Sequence, residues 1–258
     1  MVKCKYDFFR HKGEKMAKIF TVASGKGGVG KSTFCANIAL SLEKLNKKVL
    51  LIDGDVCLRS LDLLLSVDEM VVYDWLDVLE NRCDKDKARL FFSDNIQLLP
   101  APSEYPENMT CELFGSLLSQ YRDEYDYIFI DSPAGTGALP LCFAQCADTC
   151  LAVATPDEIS ARAACVLGNQ LTAKGIKEEN LRLVINRFDE KCVKKGKMLN
   201  ADDMIDRTYI RLLGIIPEEP DLMCSSVTGK QLFDYSDAKT AFDNIAGRIT
   251  GKEIPLIL

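Results

Sequence analysis

The sequence predicts an α/β fold: a doubly wound, mostly parallel sheet with helices on both faces. Three observations predict it. Short apolar runs recur along the chain and alternate with segments of helical spacing. Several of those runs are apolar at nearly every position, as strands covered on both faces require. Two of them end in aspartate, at Asp53 and Asp131, and sheets of this kind hold ligands beyond the carboxyl ends of their strands.

The elements follow in order. The run at 19–23 is apolar and β-prone, and Phe34, Ile38, Leu42 and Leu45 give the next segment helical spacing. Further strands are predicted at 49–53, 96–99, 127–131, 150–155, 181–186 and 212–216, the second of these stopped by Pro100 and Pro102. Helices are predicted at 112–122, 158–173 and 199–207. The stretch 66–95 has weak periodicity and receives no assignment. No repeat, low-complexity tract or Pro/Gly linker divides the chain, so residues 16–258 read as one domain behind an extension at 1–15.

Composition narrows the functions. A chain of 258 residues, 47% hydrophobic, can bury a sizeable core. Its net charge of −6 and the absence of a long basic block speak against direct nucleic-acid binding. No apolar run reaches membrane-spanning length and no secretory signal is evident, so a cytoplasmic protein is expected. Eleven cysteines without a C-x-x-C pair read as small core residues in a reducing compartment. Cys142, Cys146 and Cys150 recur every four residues, a spacing that would line one helix face; a metal or Fe–S role there is the weaker reading. The single histidine, His11, argues against a histidine-based metal site or triad. In the extension, Lys3, Lys5, Arg10, Lys12 and Lys15 interleave with Tyr6, Phe8 and Phe9. Asp7 and Gly13 interrupt any amphipathic helix there, which favours a loosely packed extension over a surface-binding segment.

The chemistry concentrates in SGKGGVGKST, Ser24 to Thr33, which fits G-x-x-x-x-G-K-[ST] through Gly25, Gly30, Lys31 and Ser32. A strand before it and a helix after it complete a phosphate cradle. Glycines admit backbone N–H groups to phosphate oxygens, and the helix N-terminus adds positive charge. Lys31 would reach the β/γ-phosphates and the Ser32 hydroxyl would ligate Mg²⁺. Asp53 and Asp55 close one strand, and Asp131 closes another and opens DSPAGTG. Carboxylates so placed can hold Mg²⁺ through water and orient an attacking water.

Lys26 fills a position that the general motif leaves free. With Gly27, Gly28, Val29, Gly30 and Lys31 it resembles the deviant Walker A motif of the MinD/ParA class of P-loop ATPases. LLIDGDVCLRSLDLLL, Leu50 to Leu65, resembles the first switch of the MinD family, and YDYIFIDSPAGTGAL, Tyr125 to Leu139, its Walker B and second switch. The likeness runs from about Met16, where many proteins of this class begin, to Leu258.

The resemblance implies ATP and Mg²⁺ as cofactors and a nucleotide-sandwiched homodimer in which Lys26 reaches the partner's phosphates. It implies that Gly25 through Thr33 surround the phosphates, with Thr33 at the α-phosphate. Asp55 would position the lytic water, and Asp131 would hold Mg²⁺ through water with Asp53 nearby. Asn186 and Arg187 would bracket adenine, beside a base-side loop with Pro217 and Glu218. The weaker reading is a turn residue at Asn186 and a surface charge at Arg187.

The implied activity is an ATP-hydrolysing dimerisation switch that places a division site or positions a partner, with division-site regulators as candidate partners. A metal or Fe–S carrier ATPase and a ParA-like partitioning ATPase are the alternatives. MinD proteins continue into a short basic amphipathic helix that docks on membrane. Here the sequence closes on Gly251 to Leu258, and Pro255 forbids a regular helix interior. The expectation is an apolar tail packed on the body and no membrane docking through it.

Overall fold

The computed structural model describes residues 16–56, 58–106, 109–219 and 236–256. The extension 1–15, with its basic and aromatic residues and His11, lies outside them. The described strands are β1 (Lys18–Ala23), β2 (Val49–Asp53), β3 (Leu90–Phe91), β4 (Ile96–Leu99), β5 (Tyr127–Asp131), β6 (Thr149–Ala154), β7 (Leu181–Phe188) and β8 (Leu212–Pro217). They form one sheet in the order β3-β4-β2-β5-β1-β6-β7-β8. Only the short edge strand β3 is antiparallel, to β4.

The described helices are α1 (Lys31–Glu43), α2 (Leu61–Leu64), α3 (Trp75–Leu79), α4 (Cys111–Tyr121), α5 (Ala138–Cys146), α6 (Glu158–Ala173), α7 (Glu190–Lys194), α8 (Ala201–Thr208) and α9 (Asp237–Ile249). The predicted doubly wound sheet is thus the observed one. The stretch 66–95 holds α3 and β3, elements too short to imprint a period.

Strand alternation sorts the core into two layers. Phe20, Val22, Val49, Leu51, Phe129, Leu151, Val153 and Val184 pack against α1 and α9. Their neighbours Ile19, Leu50, Ile52, Ile128 and Ile130 pack against α3, α4 and α5. Further along the same face, Ala152, Leu183 and Ile185 pack against α6 and α8. Carrying the alternation one step past Leu51, Phe129 and Val184 sets Asp53, Asp131 and Asn186 on the α1 side, where the glycine-rich loop lies.

Cys142, Cys146 and Cys150 do not line one helix. Cys142 and Cys146 lie on α5, but α5 ends at Cys146 and Cys150 is a buried residue of β6. The four-residue spacing bridged a helix end. Among the described tail residues only Ile254 packs on the body, its side chain lying where a Cβ on Gly247 would be. Arg248 holds it by donating from Nε to the Ile254 carbonyl at 2.9 Å and from its terminal nitrogen to Pro255 at 2.6 Å. Leu256 is exposed, and residues 257–258 lie outside the described set.

Candidate nucleotide-binding site

Residues 24–30 leave the carboxyl end of β1 at the centre of the sheet and turn into α1. Gly30 caps that helix with φ 94°, a left-handed conformation that side-chain-bearing residues rarely adopt. A Cβ at Gly30 would also collide with the Asn186 amide, and one at Gly25 would collide with the Ala163 carbonyl of α6. The loop is therefore closely packed on both flanks.

Of the described helices of eight residues or more, α4, α6, α8 and α9 carry side-chain caps from Thr110, Asp157, Asn200 and Ser236. Only α1 and α5 start from glycine with none. The first turn of α1 also lacks acidic residues. Its N–H groups are left for an anion, and this is the geometry of phosphate binding.

Lys31 is buried in the first turn of α1, close enough to Asp55 and Asp131 for its charge to pull both their pKa values down. Ser32 and Thr33 follow it. The Ser32 hydroxyl lies 2.9 Å from that of Ser60, in the loop after β2.

Asp53 and Asp131 are register partners on adjacent strands. Both are fully buried, but they are used differently. Asp53 accepts from the N–H groups of Asp55 at 2.9 Å and Leu61 at 3.0 Å, so it shapes the loop 54–60. Burial raises its pKa to about 6, against the pull of those two N–H groups. Neither oxygen of Asp131 makes a formed hydrogen bond, although the Ser32 hydroxyl, paired with Ser60, is near enough to pull its pKa down. Burial first, and then the Asp53 carboxylate, raise its pKa to about 8. An orphaned buried carboxylate beside a second one and a serine hydroxyl is a donor set that suits a hard divalent cation such as Mg²⁺. Asp55 is half-buried, and burial raises its pKa while Lys31 opposes the rise.

The Lys26 ammonium lies 3.4 Å from Asp157, with both side chains about 40% exposed. Asp157 caps α6 through Ser160 and accepts from the Thr155 hydroxyl at 2.6 Å.

Asn186 does more than the sequence disclosed. Its amide donates to the Val29 carbonyl at 2.8 Å, tying the end of β7 to the phosphate loop. Arg187 takes φ 59°, and the register between β7 and β8 is broken at this point. Pro217 closes β8. The Glu218 N–H bonds Phe188 at 2.9 Å, and its carboxylate lies 4.0 Å from Arg187. These four residues lie together beside the glycine-rich loop.

Asp157, Ser60 and Trp75 were missed by sequence reasoning. Trp75 is fully buried and donates from its indole to the Asp53 carbonyl at 2.8 Å. Asp157 had a signal, an aspartate after an apolar run and three residues before Ser160; Ser60 and Trp75 had none.

Comparison with known proteins agrees with this architecture. The ParA profile described as NUBPL iron-transfer P-loop NTPase matches residues 15–250. The septum site-determining protein MinD of Synechocystis is 37% identical over 248 residues, 94% of this chain and 92% of that protein. MinD of Thermotoga maritima is 34% identical over 93% of this chain and 91% of its own length. The solved MinC:MinD cell division complex of Aquifex aeolicus superposes with a TM-score of 0.86 at 36% identity, covering 94% of this chain and 99% of that one. With a phosphate loop at the centre of the sheet and relatives of this kind along nearly its whole length, the chain belongs to the MinD branch of the MinD/ParA family of P-loop ATPases.

Proposed function

We propose that this chain is an ATP-driven dimerisation switch that hydrolyses ATP and positions a division-site regulator. Lys26 carries the reading. Its ammonium is half-exposed and paired with a half-exposed carboxylate, where a second subunit's phosphates could take it up. Leu58, beyond Asp55, and Ile159, beside Asp157, are 75% and 71% exposed. They offer apolar surface for a partner on either side of the site.

In this reading, the N–H groups of residues 25–33, with Lys31 and Thr33, hold the phosphates. Ser32 and Asp131, with Asp53 behind them, would hold Mg²⁺, which supplies charge neutralisation at the phosphates. Asp55 orients the attacking water. Asn186, Arg187, Pro217 and Glu218 form the base side. The Aquifex relative was solved with MinC, so a MinC-like partner on the joined surface is the leading candidate. A cytoplasmic location belongs to this proposal, and membrane association is not favoured in it. Among the described residues no helix is long and apolar enough to cross a membrane.

Light scattering with ATP and Mg²⁺ tests the switch. Asp55→Ala should bind ATP, hydrolyse it poorly and accumulate as a dimer; Lys26→Ala should bind ATP and stay monomeric. Both variants monomeric at saturating ATP would overturn the reading.

A further inference from the structure

Ser60 stands at the N-cap of α2, where a serine hydroxyl ordinarily accepts from the first-turn N–H groups of its own helix. Here it makes no such bond. Two of those N–H groups are taken by other oxygens. That of Leu61 donates to Asp53 at 3.0 Å, and that of Leu63 to Asp62 at 2.8 Å. The Ser60 hydroxyl lies instead 2.9 Å from that of Ser32, 28 positions earlier in the chain. Its side chain serves the phosphate loop and not the helix it begins.

The backbone on both sides of Ser60 is held in place. Arg59 takes φ 46°, a conformation uncommon outside glycine. Such strain persists where surrounding contacts enforce it, and here they do. The Arg59 Nε donates to the buried carboxylate of Asp62 at 3.0 Å. The Arg59 N–H donates to the Asp55 carbonyl at 3.0 Å, and the Leu64 N–H to the Ser60 carbonyl at 3.1 Å. Either hydroxyl can donate in the Ser32–Ser60 contact, but a cation on Ser32 removes that choice. A serine oxygen that gives a lone pair to a hard cation still carries its proton, and that proton needs an acceptor. Two acceptors stand near Ser32: the Ser60 oxygen, at hydrogen-bonding distance, and the Asp131 carboxylate, which makes no formed hydrogen bond. A proton taken by Ser60 leaves both Asp131 oxygens for the cation's waters.

We propose that Ser60 is a positioning residue for the cation: its hydroxyl accepts the proton of Ser32, orients the Ser32 lone pair toward Mg²⁺ and ties the loop that carries Asp55 to the occupied site. Metal ligands depend on hydrogen-bond partners of this kind for their orientation. The inference rests on the Mg²⁺–nucleotide reading above and deepens it. The same hydrogen bond that orients the ligand makes the order of the loop 54–60 depend on the cation.

Calorimetry of ADP binding to the full chain, with Mg²⁺ and in EDTA, gives the factor by which the cation strengthens binding. Losing one hydrogen bond at the cation should reduce that factor about 2- to 10-fold in Ser60→Ala. Ser60→Thr keeps the hydroxyl and should restore it, which separates the hydroxyl's role from a folding defect. ADP with Mg²⁺ should also slow tryptic cleavage after Arg59 in the parent and in Ser60→Thr, and slow it less in Ser60→Ala. A Ser60→Ala variant with the parent's factor, an equal loss with and without Mg²⁺, or no rescue by threonine overturns the proposal. A parent chain whose ADP affinity ignores Mg²⁺ overturns the cation reading itself, and this inference falls with it.

Discussion

The side-chain amide of Asn186 donates to the backbone carbonyl of Val29 across 2.8 Å, joining residues 157 positions apart in the chain. The end of β7 is thereby fastened to the glycine-rich loop between β1 and α1.

This bond makes Asn186 matter for ligands that have no base. Asn186→Ala leaves the Val29 carbonyl without its partner, a loss of about 1–3 kcal/mol, or roughly 5- to 150-fold in affinity if spent on loop order. Calorimetry should find ATP and inorganic tripolyphosphate weakened together. Weakening of ATP alone would confine Asn186 to the base.

Gly30 is the other half of the same joint. Gly30→Ala must hold alanine at φ 94° and displace the Asn186 amide. The expected cost is about 1–3 kcal/mol of stability, with nucleotide binding lost. A variant that melts and binds like the parent would show that the joint yields freely.

The buried carboxylates predict an unusual pH response. Asp53 and Asp131 have folded pKa values raised to about 6 and about 8 from the ordinary carboxylate value of 3.8. The folded state therefore binds more protons than the unfolded one across this window. Stability of the nucleotide-free protein should fall as pH rises from about 4 to 8. Asp131→Asn should flatten that fall and raise the melting temperature at pH 8. Mg²⁺ with nucleotide must displace the Asp131 proton, so its affinity should grow with pH up to about 8 and calorimetry should detect proton release. Binding independent of both pH and buffer would remove Asp131 from the cation site.

The Lys26–Asp157 pair can be separated from the helix cap that Asp157 also provides. Asp157→Asn keeps an acceptor for Ser160 and removes the carboxylate. Both partners are about 40% exposed, so stability should change by less than about 1 kcal/mol. The released lysine should lower the protein concentration needed for ATP-dependent dimerisation. An unchanged or higher threshold, measured by light scattering, would show that the pair does not restrain Lys26.

The sheet and phosphate loop were legible because each leaves a local mark. Buried parallel strands such as Val49–Asp53 read as continuous apolar runs, and glycine spacing records backbone shape directly. The stretch 66–95 was illegible because α3 and β3 are short and placed by tertiary contact, with Trp75 reaching back to Asp53. The cysteine period misled because it crossed the end of α5. Asn186 was found as a residue but not as a joint, since nothing near it in the sequence names Val29.

The indole of Trp75 is the only one in the chain. It is anchored to the carbonyl of Asp53 and sits edge-on to Phe114 of α4. The molecule thus carries its own optical label at the root of the loop that would feel a bound nucleotide. Occupancy, exchange and hydrolysis can be followed in the unmodified protein by the colour and lifetime of a single emitter.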